Sequence, residues 1–295
     1  MKKVGVGVAV LSACLILAGC SATDYKSALK TQNEGKYEAA AKTFKNLDDY
    51  KDSGIRAEFC EAAASLFDKN SILDKAISDG EANAKKNDNA INNDLKPALE
   101  NAITQAKKNK VKIKDMPTEK SKVKAIIDEM KVVDYSSALT GIKTASDALD
   151  KSRQQYALVD VPDESYVISC LKTVPNITST EAATEDNDPN DHLNKKGGYT
   201  SDVYFSSDLV DKDELFSDSV IENGTDGGGS IEVYKTEKDA KAREKYISRF
   251  DGGVLSAGTH KVVGTVLIRT SEYLNATQQV ELEANIEAAL TKLPE

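Results

Sequence analysis

The chain is 295 residues long, with a net charge of −9, 40% apolar content, eleven tyrosines and no tryptophan. That length allows about two domains with real cores. The acidic balance argues against nucleic acid and anionic lipid as general partners, and the sparse aromatics weigh against a stacked-aromatic sugar platform, which the eleven tyrosines nonetheless leave open.

In chain order, Met1-Lys2-Lys3 precedes an apolar run from Val4 to Leu17, about half the length a helix needs to span a bilayer. The run closes on Leu17-Ala18-Gly19-Cys20. This resembles a bacterial lipoprotein signal with its lipobox: an aliphatic residue, two small residues for the peptidase, and a thiol to carry diacylglycerol. Leu11-Ser12-Ala13-Cys14 fits the same pattern but leaves a short core and an apolar mature terminus, so Cys20 is the expected lipidation site and residues 1–19 the signal peptide. Two acyl chains suffice for stable anchoring. The expected location is the extracytoplasmic face of the cell membrane, and the mature chain carries 37 basic and 48 acidic side chains. Cys60 and Cys170, too few for a disulfide scaffold, read as buried thiols within apolar helical patterns, with one bridge as the alternative.

Glycine divides the remainder: four lie between Asp24 and Asp160, ten between Gly197 and Gly264. The front is therefore expected to be all-helical and the back mixed, with a hinge at Val159-Asp160-Val161-Pro162. Tyr25, Ala28, Leu29 and Gln32 predict one helix. Gly35 and Lys36 then turn, and Tyr37, Ala40, Ala41, Phe44 and Leu47 predict a second. This pair resembles a single tetratricopeptide-type hairpin, a unit that implies protein contact when repeated. With a third helix through Ala57, Cys60, Ala64 and Phe67, it makes a segment over residues 20–69. Asp49-Tyr50-Lys51-Asp52-Ser53 resembles a junction that follows such hairpins in Gram-positive proteins.

Residues 70–158 are expected to form helical hairpins, a stalk or bundle, with helices at Ile72 to Ala84, Leu95 to Ala106, Val123 to Val133 and Tyr135 to Tyr156. Tyr135, Ile142, Leu149 and Tyr156 recur every seven residues, a stripe suited to antiparallel packing. The Leu-x-x-Ala-Ile pattern at Leu73 and Leu99 resembles helical modules of Gram-positive adhesins, which implies a spacer or a host-ligand contact.

Residues 163–295 predict an α+β sandwich: a helix through Val167 and Leu171, then strands at Ile177 to Thr184, Ser201 to Ser206, Ser230 to Lys235 and Lys261 to Arg269. Thr236 with Asp239, and Asn275 with Gln278, are expected helix caps. The stretch from Lys235 to Lys261 has the length of a βαβ crossover between parallel strands. Four segments, Thr184 to Asn190, Gly197 to Ser201, Gly224 to Gly229 and Gly264 to Ser271, resemble a C-terminal domain of Gram-positive envelope lipoproteins with no assigned activity. The resemblance implies a fold and a compartment.

The acidic loop places Asp186, Asp188, Asn190 and Asp191 at a spacing suited to calcium, with Tyr199 nearby as a possible ligand-site partner. Counting from Asp186, however, the EF-hand glycine is replaced by Asp191 and the closing glutamate by Gly197, so an acidic turn is the plainer reading. Asp226-Gly227-Gly228-Gly229-Ser230 lacks the lysine and helix of a phosphate loop and reads as a flexible strand entry. His192 and His260 have no partner at ligand spacing and read as surface residues, and His-Glu-x-x-His and Gly-x-Ser-x-Gly are absent. These features predict no catalytic residue and a non-catalytic lipoprotein that displays an interaction or adhesion surface to an envelope or host protein or glycan. The alternative is a small-ligand or calcium sensor, or an enzyme, built on the C-terminal domain.

Overall fold

The computed structural model describes residues 9–48, 50–252 and 258–294, with side chains from residue 21 onward. Two compact units emerge: residues 1–86 with 96–146, and residues 87–95 with 147–295. The chain is α+β, its helices gathered toward the N-terminus and its sheet in the C-terminal part.

In the first unit, α1 (Ala9–Asn33) turns at Gly35, whose φ of +73° only glycine adopts freely, into α2 (Tyr37–Lys45). α3 (Ser53–Ala84) follows, then α4 (Leu95–Asn109) and α5 (Lys120–Lys131). Tyr25, Ala28, Ala40, Ala41, Phe44, Ala57, Cys60, Leu66, Ile127 and Met130 share one core, so the hairpin expected from the tyrosine and alanine spacing closes against α3 and α5. The Tyr25 ring meets Phe44 edge-on at 5.7 Å, and its hydroxyl binds Asp52 and accepts from Arg56 Nε at 3.1 Å. Side chains of Leu17, Ala18, Gly19 and Cys20, and the whole of residues 1–8, lie outside the described residues.

Two expected helices, one through Phe67 and one from Ile72, are a single helix of 32 residues, and the boundary expected at 69/70 falls inside it. The polar stretch Asp68-Lys69-Asn70-Ser71 does not interrupt α3, because its side chains find partners: Asn70 donates to Val111 O at 3.0 Å and accepts from the Tyr135 hydroxyl at 2.8 Å. The division near residue 146 lies within α6 (Ser136–Leu158), earlier than the hinge read at 159–162. The seven-residue stripe is buried throughout.

In the second unit, Asp163 caps α7 (Glu164–Leu171) by accepting the Tyr166 N–H at 2.7 Å. A five-stranded sheet follows in the order β1-β2-β3-β5-β4, where β1 is Ile177–Ala182, β2 Tyr199–Ser207, β3 Gly228–Tyr234, β4 His260–Val263 and β5 Val266–Thr270. Every ladder is antiparallel. The crossover through α9 (Glu237–Ile247) does return the chain in the direction of β3, but β5 lies between β3 and β4, so no parallel pair forms. The single strand expected over Lys261 to Arg269 is instead a hairpin, turned by Gly264-Thr265 with Gly264 at φ +61° and Val263 facing Val266. α8 (Val220–Asn223) and α10 (Ala276–Leu290) complete the unit, the latter with the Asn275/Gln278 capping box.

Alternation along the strands sorts residues onto two faces. Val203, Phe205, Ile231, Val233, Val266 and Ile268 pack on α7 and α10, forming the sheet-on-helix core of an α+β fold. The opposite face is also covered: Tyr199, Tyr234 and Leu267 pack with Ala240 and Ile247 of α9, and Tyr204 packs with Ile221 of α8. Cys60 and Cys170 are free and buried in separate units.

Candidate functional site

The covered face carries charge. Asp202 on β2 stands directly opposite Glu232 on β3, and Ser230 opposite both Tyr204 and Arg269 of β5. Asp202, Ser230 and Glu232 are each 0% exposed. Like charges facing each other across strands repel, and a buried charge must be paired or neutralised. The two carboxyls take different routes.

Glu232 is paired. Arg269 Nη1 donates to its Oε1 at 2.9 Å, while Arg243 Nε at 3.3 Å and the Tyr234 hydroxyl at 2.5 Å donate to Oε2. Neither oxygen of Asp202 makes a well-formed hydrogen bond. Burial and then the neighbouring Glu232 push its pKa up to about 8, against the weaker pull of the Tyr204 hydroxyl and Arg269. Burial and the facing carboxylate thus favour the neutral form of Asp202. Ser230 Oγ and Arg269 Nε are likewise buried without a hydrogen-bond partner, and these polar atoms share the same sheet face.

The acidic loop, residues 184–198, joins this layer through part of the expected set. Asp188 accepts backbone N–H bonds from Asn190, His192 and Leu193 at 3.1, 2.6 and 2.9 Å, and the hydroxyl of buried Tyr199 binds it as well. Burial would raise its pKa, but the Tyr199 hydroxyl and these N–H groups hold it below the usual carboxylate range. Asn190 donates to the Tyr204 hydroxyl at 2.9 Å and accepts from Arg243 Nη2 at 3.3 Å, tying loop, sheet and α9 together. Burial, with Asp188 second, raises the Tyr199 pKa, so its phenol stays a donor. Asp186 and Asp191 are exposed and stay outside the network, Asp191 pairing with Lys195.

Among the described residues no group of three His, Cys, Asp or Glu side chains converges as a metal site. Asp188, which a calcium loop would need, already spends its lone pairs on protein donors.

Two further readings change. His260 is not a surface residue: its side chain is 8% exposed, between Glu244 at 3.3 Å and Asp251 at 3.1 Å. The triglycine is more than a strand entry: Gly228 and Gly229 lie within β3, and a Cβ on Gly229, at φ +151°, would lie 2.1 Å from Arg269 O and 2.5 Å from Phe205 Cζ. That glycine lets β5 and the Phe205 ring close on β3.

Asp202, Glu232, Arg243 and Arg269 escape a sequence reading because acids and arginines alternating with apolar residues read as a solvated face. The alternating tyrosines 199, 204 and 234, which need cover, were the available signal. The four segments singled out in sequence do converge here, through Asn190, Tyr199, Gly229 and Arg269. No family model matches the chain, and comparisons with curated proteins and with solved structures find none similar to it.

Proposed function

We propose that this chain is an extracytoplasmic bacterial lipoprotein, anchored to the cell membrane through diacylglycerol on Cys20, that acts without catalysis as a display, interaction or adhesion module. Its partner is an envelope or host protein or a glycan. The observation that carries this reading is the Leu17-Ala18-Gly19-Cys20 motif followed, after three residues and Asp24, by the packed helical core beginning at Tyr25. Cleavage before Cys20 would leave almost no tether.

Charge distribution supports it. Residues 21–146 carry 22 basic and 20 acidic side chains, whereas residues 147–295 carry 15 and 28. The lipid would thus sit on the segment that an anionic bilayer repels least. The buried acids also favour binding over turnover, since Glu232 and Asp188 are consumed by internal hydrogen bonds and Asp202 has no exposure to a dissolved substrate. A sensor built on the C-terminal domain is the second reading, favoured by the unpartnered buried atoms of Asp202, Ser230 and Arg269.

Cys20→Ala tests the anchor in cells: processing and membrane retention should both be lost, and normal processing of that variant refutes it. Crosslinking on intact cells should recover a specific envelope partner.

A further inference from the structure

The second unit has a concavity of about 480 Å³ at the end of the sheet where β1 and β2 meet the segment 208–218. That size falls within the range of small-ligand sites. Its apolar lining includes Val210, a buried member of the main core of the unit, and Leu215, which is partly buried against that core. Its rim is polar, with Ser179 and Ser206 hydroxyls, the Asp218 carboxylate and the Lys212 amine. Phe216, which also lines the cleft, is 76% exposed, whereas Phe205 on the neighbouring strand β2 is fully buried.

We propose that this cleft binds a neutral saccharide chain, with Phe216 as the face against which a sugar ring stacks. A pyranose has apolar C–H faces and an equatorial belt of hydroxyls that both donate and accept. It therefore needs one apolar plane with mixed donors and acceptors around it, and the cleft supplies both: serine hydroxyls act in either sense, carboxylate accepts, ammonium donates. Asn223 and Ser217 hold the wall, the amide donating to Ser217 O at 2.7 Å and accepting its N–H at 3.2 Å. The side of the cleft that carries Phe216 is thereby preset, which lowers the ordering cost of binding.

Charge narrows the ligand class. With 28 acidic against 15 basic side chains in residues 147–295, an anionic polymer is repelled, while an uncharged glycan is not. The inference names a partner for the display function proposed above and rests on it only for where the glycan is met. Binding itself is measured on the purified chain, so failure of the anchor and failure of the cleft are distinguishable.

The test uses the full chain purified in detergent, titrated by calorimetry and saturation-transfer NMR with tetramers of β-1,4-linked N-acetylglucosamine, β-1,4-linked glucose and α-1,4-linked glucose. At least one should bind saturably. Phe216→Ala should weaken it about tenfold and Asp218→Asn about threefold, with melting temperature unchanged because both positions are exposed. Absence of saturable binding by all three tetramers overturns the proposal. So does binding that neither substitution weakens, or displacement of the bound tetramer by an unstructured peptide at equal concentration.

Discussion

Raising the pH from 5 to 8 should loosen the sheet of the second unit, and Asp202→Asn should abolish that effect. Unfolded, an aspartic acid gives up its proton near 3.8; folded, Asp202 keeps it until about 8. Between those values the native chain binds one more proton than the unfolded chain, so stability is greatest at the acid end and falls as pH rises. The stability lost across that window is on the order of a few kcal/mol. The groups that face Asp202 set the sign: burial and Glu232 oppose its ionisation, while Tyr204 and Arg269 favour it less strongly, and Tyr199 stays a neutral phenol. An asparagine at this position is neutral at every pH, so the variant should lose the slope and be more stable than wild type at pH 8. Hydrogen exchange of β2 and β3 in the full chain, read between pH 5 and 8 after correction for intrinsic rates, isolates the sheet from the helical unit. Protection that rises with pH, or a slope unchanged in the variant, would refute the reasoning.

Glu232→Ala should cost about 3–5 kcal/mol, because it strands Arg243 and Arg269 without their shared carboxylate; chemical denaturation checks it, and a loss under about 1 kcal/mol would contradict the pairing. Gly229→Ala should unfold the sheet outright or cost more than about 4 kcal/mol, since its Cβ would overlap backbone carbonyl and ring atoms. Melting in calcium against chelator should show no shift, because Asp188 is saturated by protein donors; a calcium-dependent rise would reopen the loop as a cation site. Asn190→Ala should cost roughly 1–3 kcal/mol and expose the 184–198 loop to protease, whereas Asp186→Ala should do neither.

Helices were legible wherever one stripe of apolar residues met one neighbour. The stripes through Tyr25 and Phe44, Leu99 and Ile103, and Tyr135 to Tyr156 are all buried as their spacing demands. The caps at Thr236 and Asn275 stand where their side chains predicted them, because a cap is a local hydrogen bond that needs no tertiary partner. What failed depends on distant residues. α3 continues past Phe67 and Ile72, both more than half exposed, because Asn70 is satisfied by Val111 and Tyr135, far away along the chain. The hairpin at Gly264 hides in a continuous β-branched run, where only one glycine and one threonine mark the reversal.

The acidic face of the sheet shows the limit most sharply. Period-two alternation reports which residues share a face, and it did group Asp202 with Tyr204 and Glu232 with Tyr234. It does not report whether that face meets water, which here depends on α9 crossing over and on the 184–198 loop folding back. Once covered, Glu232 needs two arginines from α9 and β5, and Asp202, with none to spare, keeps a proton. The loop's conspicuous acids were thus a poor guide to chemistry: Asp188 serves to hold the cover down, and the most perturbed carboxyl lies beneath it. Asn190, bonded to Tyr204 of the sheet and Arg243 of α9, ties that cover to both layers, a role that its place among conspicuous acids does not announce.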